Sequence, residues 1–158
     1  LESEAAAHVF SPRRHGGDGG DRTGFRRGGR MTEGEIHALC HRFFDALEAR
    51  DVKPIAELYD PDLAFWFNVT GQTTTRQENL DRLEAGYARH RRRTYDERVV
   101  SAFEGGFVMQ YTLTLVQHDG RRSVLFPCVV VLCGDGRITR IDEYIDSGKF
   151  SAPPPAAS

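Results

Sequence analysis

The stretch FFDALEARDVKPIAELYDPDLAF, Phe43–Phe65, decides the fold, because within it the pattern passes from one helix through a second, short helix into a strand. Its first part carries apolar residues at helical spacing. Asp51 followed by Pro54 is typical of a helix start, and we expect this second helix to end at Asp60-Pro61. Aromatic and aliphatic residues then predict a strand over residues 63–69.

Two capping boxes mark the starts of longer helices. Thr32 and Glu35 precede the first helix, and Thr75 and Glu78 repeat the pattern before a third. After residue 94 the pattern becomes that of strands joined by short glycine-containing turns, which favour antiparallel neighbours. The sequence therefore predicts an α+β fold, a cone-shaped curved antiparallel sheet covered by three N-terminal helices, with an interior pocket. The predicted strands cover residues 94–103, 107–118, 122–133 and 137–147.

Composition limits the classes of partner. The 158 residues suit one domain, and 39% hydrophobic with 28% charged residues is typical of a globular chain. A formal net charge of -2 does not favour nucleic acid, and we interpret the basic run Arg89–Arg93 as a solvated helix end. The longest apolar run, Val124–Cys133, is ten residues, whereas about 20 are needed to cross a bilayer. We therefore expect neither nucleic acid nor a membrane as a partner.

The two ends of the chain differ from its middle. Residues 1–30 are rich in arginine and glycine and poor in large hydrophobic residues, which predicts a disordered extension upstream of a natural start at Met31. An RNA-binding arm is the alternative interpretation. Residues 31–150 form the predicted domain, and residues 151–158 a disordered tail. Three cysteines cannot all pair, and with no secretory signal pattern this favours a reducing cytoplasm.

Three segments together resemble the SnoaL-like branch of the nuclear-transport-factor-2-like superfamily. They are Phe43–Phe65, NVTGQTTTRQENL at residues 68–80, and DGRITRIDEYIDSGKF at residues 135–150. The resemblance implies the fold predicted above. Members of the superfamily include ketosteroid isomerases, polyketide cyclases, limonene-epoxide hydrolases, transport factors and association domains without catalysis, so function has to be argued from the site.

The catalytic set of a ketosteroid isomerase is absent at the matching positions. The resemblance puts Phe43 and Val129 where two oxyanion donors would stand, and Asn68 where the base would stand. Phenylalanine and valine cannot donate a hydrogen bond, and an amide does not accept a proton at neutral pH. The resemblance therefore does not extend to isomerisation by that mechanism.

The catalytic set of an epoxide hydrolase is also incomplete. The resemblance puts Gln110, Thr112 and Glu143 where an Arg and two Asp would stand, with Trp66 near a tyrosine and Asn68 at an asparagine. Opening an epoxide in this way needs an acid and a base on either side of a cation. Only one carboxylate remains, so we expect no epoxide opening by this trio.

What remains is a single-carboxylate site centred on Glu143. Ile141, Glu143 and Ile145 share one strand face by period-two geometry, so the carboxylate would point into apolar space. Desolvation would raise its pKa towards neutrality, which suits a general acid or base acting on a carbon acid, as in the polyketide cyclases that the chain resembles. Asn68 is the second candidate catalytic residue. The candidate substrate-binding residues are Trp66, Gln110, Thr112, Phe43 and Val129.

Simpler interpretations stand beside these. Glu143 could point to solvent or pair with an arginine, Asn68 could hold a strand end, and Trp66 could be a core or dimer contact. His37 and His41 stand four apart on the first helix, but no third ligand is evident. We therefore predict no metal site.

Two functional hypotheses follow. The first is a cytoplasmic homodimer that binds a small, largely apolar metabolite and isomerises, cyclises or hydrates it without a cofactor. The alternative is a non-catalytic ligand-binding or dimerisation module. One strand offers the alternative an apolar face, larger than a solvent-facing sheet shows unless helices cover it. That face consists of Phe107, Met109, Tyr111, Leu113 and Leu115.

Overall fold

The computed structural model describes residues 31–146 of the chain. The predicted extension over residues 1–30, the end of the predicted domain at 147–150 and the predicted tail over 151–158 lie outside these described residues. The helices are α1 (Glu33–Ala49), α2 (Val52–Leu58) and α3 (Arg76–Arg89). The strands are β1 (Tyr59–Phe67), β2 (Gln72–Thr75), β3 (His90–Phe103), β4 (Gly106–Gln117), β5 (Arg122–Leu125), β6 (Cys128–Gly134) and β7 (Arg137–Tyr144).

All three helices begin at the capping residues that the sequence predicts. The hydroxyls of Thr32 and Thr75 each accept a hydrogen bond from the backbone N–H three residues later, and Asp51 caps α2. Helix α2 ends at Leu58, earlier than predicted, because Asp60-Pro61 already belongs to β1. None of the helices within residues 31–146 has the length and apolar character needed to span a membrane.

The seven strands form one curved sheet in the order β2-β1-β7-β6-β4-β3, with β5 paired to β4. The helices pack on one side of it, so the predicted α+β class is confirmed. The sheet is mixed rather than wholly antiparallel, since β1 pairs parallel to β7. Strand β1 enters the sheet from the helices and not through a hairpin with β7, so turn chemistry does not constrain its direction. The unpredicted strand β2 extends the same edge.

Several predicted strand boundaries are wrong. The first strand covers Tyr59–Phe67 rather than residues 63–69, and the last ends at Tyr144 rather than at residue 147. Pro127 has no N–H to donate to a ladder, and it divides the predicted strand over residues 122–133 into β5 and β6. Strand β6 then lies between β4 and β7. Strand β3 begins at His90, so Arg89 alone of the basic run belongs to a helix. The arginines from residue 91 onward are strand residues and do not close a helix.

The apolar face of β4 lies in the core. The sulfur of Met109 is 3.9 Å from the sulfur of Cys40 in α1, and the ring of Tyr111 meets Phe44 edge-on at 5.5 Å between centroids. The five apolar residues of this face, from Phe107 to Leu115, are all buried. Because this face is already buried inside the domain, the hypothesis that it mediates dimerisation is wrong.

Candidate functional site

A cavity of about 320 Å³ lies between the inner face of the sheet and the helices α1 and α3. The apolar part of its wall includes Phe43, Leu47, Phe65, Met109, Val129 and Ile141. The polar residues that line it are Tyr59, Asn79, Arg82, Arg89, His90, Arg93, Tyr95, Tyr111 and Glu143. A largely apolar space of this size with a few convergent polar groups is typical of a small-molecule site.

Glu143 is the carboxylate of this cavity. Ile141, Glu143 and Ile145 all line it, as period-two geometry predicts for one face of the last strand. The Glu143 side chain is 14% exposed. Burial raises the pKa of its carboxyl above the usual range, and the positive charges of Arg82 and Arg93 oppose this shift. The site therefore holds a desolvated acid against an apolar wall.

Arg82, on α3, is the cation paired with Glu143. Its Nη2 lies 3.4 Å from Oε2 of the carboxylate, which is long for a charged hydrogen bond. The guanidinium also stacks over the rings of Phe65 at 4.2 Å and Phe67 at 5.0 Å, measured to the ring centroids. The aromatic stacking holds the arginine beside the carboxylate, and the loose ion pair leaves the carboxylate able to interact with a ligand.

Tyr59 and Asn79 form a buried polar pair on the cavity wall. The phenol of Tyr59 donates a hydrogen bond of 3.0 Å to the amide oxygen of Asn79, and both residues are buried. Burial, with the charge of Glu143 adding to it, raises the pKa of the Tyr59 phenol, so the hydroxyl keeps its proton. Asn79 is not among the site residues predicted from the sequence. Helical spacing in the sequence could have identified it, because Asn79, Leu83 and Tyr87 are four residues apart and lie on the same face of α3.

The start of β3 supplies basic groups to the cavity. The guanidinium of Arg93 lies 5.3 Å from the ring centroid of Tyr87 and 5.8 Å from that of Tyr95. His90 Nδ1 lies 2.8 Å from the carbonyl oxygen of Gly86, and burial lowers the pKa of this half-buried imidazole. A neutral His90 that donates through Nδ1 presents Nε2 as an acceptor.

Arg50 fixes this junction between α3 and β3. It closes α1 in the left-handed conformation, with φ of 58°. Its guanidinium donates hydrogen bonds to the carbonyl oxygens of Tyr87, His90 and Arg91, the last two at 2.8 Å. One side chain thus ties the first helix to the segment that carries His90 and Arg93.

The structure brings together three of the seven residues predicted for the site, since Phe43, Val129 and Glu143 all line the cavity. Asn68 does not line it. Its amide nitrogen donates to the carbonyl oxygen of Ile145, and its amide oxygen accepts from the Ile145 N–H, both at 2.9 Å. With both amide atoms occupied, Asn68 joins the ends of β1 and β7 and is not placed to act on a ligand.

The other three predicted residues lie on the outer face of the sheet. Trp66 packs against Tyr144 with ring centroids 5.2 Å apart, Gln110 is exposed, and Thr112 donates a 2.6 Å hydrogen bond to Glu97. Alternation along β4 turns Gln110 and Thr112 away from the cavity, because Met109 and Tyr111 face it. Trp66, Gln110 and Thr112, which were predicted to contact substrate, therefore do not line the described cavity.

Metal-binding clusters are not found within residues 31–146, where no group of three or more His, Cys, Asp and Glu side chains converges. His37 instead lies 3.8 Å from Glu33 on the surface of α1. Cys40, Cys128 and Cys133 are free thiols. Burial raises the pKa of Cys40 to about 11 and that of Cys133 to about 12, so both thiols stay protonated at neutral pH.

This combination of a curved sheet, covering helices and an apolar cavity with few polar groups defines the class of domain found in the nuclear-transport-factor-2-like superfamily. Within that class, the profile described as SnoaL-like domain matches residues 40–141, which is more than half of the chain. The chain belongs to this family. No significant match was found among the curated proteins.

Solved structures agree with the fold. AclR, a proposed hydroxylase from Streptomyces galilaeus, superposes with a TM-score of 0.68 at 16% identity, over 75% of this chain and 83% of that one. A proposed polyketide cyclase from Xanthomonas campestris has a TM-score of 0.68 at 20% identity, over 74% and 94% of the two chains. An LEH-like epoxide hydrolase from M. tuberculosis has a TM-score of 0.63 at 20% identity, over 73% and 86%.

Proposed function

We propose that this SnoaL-like domain binds a small, largely apolar carbonyl metabolite and performs cofactor-free acid–base chemistry on it, with Glu143 as the base. The observation that carries the proposal is the Glu143 carboxyl inside a largely apolar cavity, with Arg82 loosely paired to it and Arg93 also close enough to lower its pKa. Desolvation raises the pKa of a catalytic carboxylate and a neighbouring cation lowers it, so the balance of the two effects determines the pH at which the carboxylate can act as a base. The cyclase name of one similar structure agrees with such chemistry.

Proton transfer from the ligand to Glu143 would convert the ligand into an enolate. A carboxylate oxygen of Glu143 takes a proton from the carbon next to the ligand carbonyl, and the C–H electron pair becomes a C=C bond. The carbonyl π electrons move onto oxygen, which gives an enolate. If a C=C bond of the ligand is conjugated with the enolate, return of the proton to the far end of that system isomerises the ligand. Attack of the enolate carbon on a second carbonyl of the same molecule instead closes a ring, and the resulting alkoxide takes the proton back from the Glu143 carboxyl.

Epoxide opening by a cation flanked by two carboxylates is not part of the proposal. The cavity-facing positions of β4 are Met109, Tyr111, Leu113 and Leu115, and none of them is charged. Arg82 is the cation paired with Glu143, and Glu143 is the one carboxylate among the residues that line the described cavity. The second acid that such a relay requires is missing from the residues that line the described cavity.

The test is proton exchange at a simple carbon acid. The protein is incubated with 2-tetralone in D2O, and deuterium incorporation next to the carbonyl is followed by NMR. We expect catalysed exchange with wild type, none above background with Glu143→Gln, and normal exchange with Glu84→Gln, which changes an exposed glutamate outside the cavity. Equal exchange by wild type and Glu143→Gln would remove Glu143 from the chemistry.

We also propose that the protein resides in the cytoplasm, where its three thiols would remain reduced. We propose in addition that it forms a homodimer through the outer face of its sheet. Val99, Gln110, Cys128 and Tyr144 form one row across β3, β4, β6 and β7. Val99 is 57% and Tyr144 45% exposed, with the half-buried Trp66 beside Tyr144. Such apolar surface favours a protein partner, and a second copy presents the same surface.

Sedimentation of wild type, Val99→Asp and the control Ala49→Asp tests the dimer. Val99→Asp places a charge in the proposed interface, whereas Ala49→Asp places one at the exposed end of α1 on the helical side. We expect dimers for wild type and the control, and monomers with red-shifted Trp66 fluorescence for Val99→Asp. A monomeric wild type at micromolar concentration contradicts this part of the proposal.

A further inference from the structure

We infer that the Asn79 amide binds a carbonyl oxygen of the ligand, which makes Asn79 a substrate-contacting residue and the ligand a hydrogen-bond-accepting oxo compound. The inference rests on the proposed function for placing a carbon acid beside Glu143. It assigns to α3 a role in recognising the ligand, in addition to holding Arg82.

The orientation of the Asn79 amide follows from its partner. Asn79 is 1% exposed, and its amide oxygen accepts the phenol proton of Tyr59. The reverse orientation would leave both that proton and the amide oxygen without a hydrogen bond, which is unfavourable for buried groups. The NH2 group of Asn79 is therefore the end left free.

That NH2 group is buried and has no hydrogen-bond partner. An unpaired buried donor destabilises a protein, and native folds pair nearly all such groups. Asn79 lines the cavity, so a ligand can supply the missing acceptor. A carbonyl oxygen meets this need, whereas a hydrocarbon leaves the donor unpaired.

Other free polar atoms of the cavity wall are also donors. Nε of Arg93 and the hydroxyl of Tyr95 are buried without a partner of good geometry, although Arg93 lies close enough to oppose the rise in the Tyr95 pKa. Glu143 is the one carboxylate among the residues that line the cavity. A wall with surplus donors selects a ligand that carries acceptor oxygens.

Asn79 is also near the proposed base. Arg82 follows it by three residues on α3, so the two side chains share one helix face. Arg82 pairs with Glu143. The Tyr59 phenol, which is hydrogen-bonded to Asn79, is close enough to Glu143 for the carboxylate charge to raise the phenol pKa. A carbonyl oxygen on the Asn79 amide thus brings the adjacent carbon towards the Glu143 carboxylate, and the same amide then stabilises negative charge on that oxygen.

The experiment compares 2-tetralone with tetralin, the same ring system without the carbonyl. Calorimetry gives the affinities for wild type, Asn79→Leu and Phe67→Leu, and infrared spectroscopy gives the carbonyl stretch of the bound ketone. For Asn79→Leu we expect the preference for ketone over hydrocarbon to fall about two- to tenfold, the effect of one hydrogen bond. Phe67→Leu changes an apolar wall residue and should weaken both ligands equally.

Wild type alone can overturn the inference, through equal affinity for the two ligands or a carbonyl stretch that binding does not lower, whether or not Asn79→Leu folds. A carbonyl stretch lowered relative to the ketone in hexane, and restored towards that value in Asn79→Leu, supports the inference. Equal wild-type affinity for both ligands, or a stretch that Asn79→Leu leaves unchanged, overturns it. Loss of deuterium exchange in Glu143→Gln can still occur in either case, so failure of the inference and failure of the proposed function remain distinguishable.

Discussion

Replacing Arg82 by methionine removes the cation beside Glu143 and keeps an unbranched apolar stem against Phe65 and Phe67. At the 3.4 Å separation of nitrogen and oxygen, Coulomb's law gives about 1 kcal/mol in a water-like dielectric. It gives about 5 kcal/mol at an effective dielectric constant of about 20. Arg82 is 42% exposed, so screening by solvent favours the lower value. A loss of about 1 kcal/mol changes the ratio of protonated to ionised Glu143 about fivefold at a given pH.

The pH profile of deuterium exchange into 2-tetralone measures this change. Arg82 lowers the raised pKa of Glu143, so Arg82→Met should move the rise in exchange rate to higher pH. Exchange at acidic pH becomes slower because less of the base is ionised. Arg92→Met removes an equal charge at an exposed site outside the cavity and should leave the profile in place. Superimposable profiles for Arg82→Met and wild type would refute control of Glu143 by this ion pair.

Three further predictions concern stability. Folding raises the pKa of the Glu143 carboxyl. The contribution of Glu143 to the free energy of unfolding is therefore fully present at pH values below its pKa in the unfolded chain. That contribution is lost as the pH rises through its pKa in the folded protein, because the buried carboxyl must then ionise. In thermal denaturation, Glu143→Gln should therefore exceed wild type in stability at neutral pH but not below about pH 4. Asn68→Ala should lower the free energy of urea unfolding by about 2 kcal/mol through two lost hydrogen bonds, with tetralone affinity unchanged. Arg50→Ala should be about 1 kcal/mol less stable than Arg50→Gly, because both lose the guanidinium contacts but alanine resists the φ of 58°.

Local signals in the sequence predicted the elements well. The hydroxyls of Thr32 and Thr75 cap their helices as the two capping boxes require. These signals involve neighbours along the chain, so no knowledge of the tertiary fold is needed to recognise them. The parallel pairing of β1 with β7 has no such signal, since the two strands are far apart in sequence.

The site was predicted in part, for a reason of strand geometry. Glu143 faces the cavity because the isoleucines on either side of it are buried, and that alternation is visible in the sequence. Gln110 and Thr112 were predicted from the resemblance to epoxide hydrolases, but they lie on the face of β4 that points away from the cavity. A shift of one residue in a strand exchanges its two faces, and the apolar alternation of Met109 and Tyr111 was the better guide.

The sequence by itself determined the helix starts, the fold class and the position of one carboxylate on an apolar strand face, because these depend on periodicity and capping within short segments. Only the tertiary structure decided the partners of that carboxylate. Arg82 meets Glu143 across 61 residues of chain, and Tyr59 meets Asn79 across 20. Such contacts are set by how α3 crosses the sheet, and hydrogen bonds and ion pairs between distant segments leave no periodic trace in either segment.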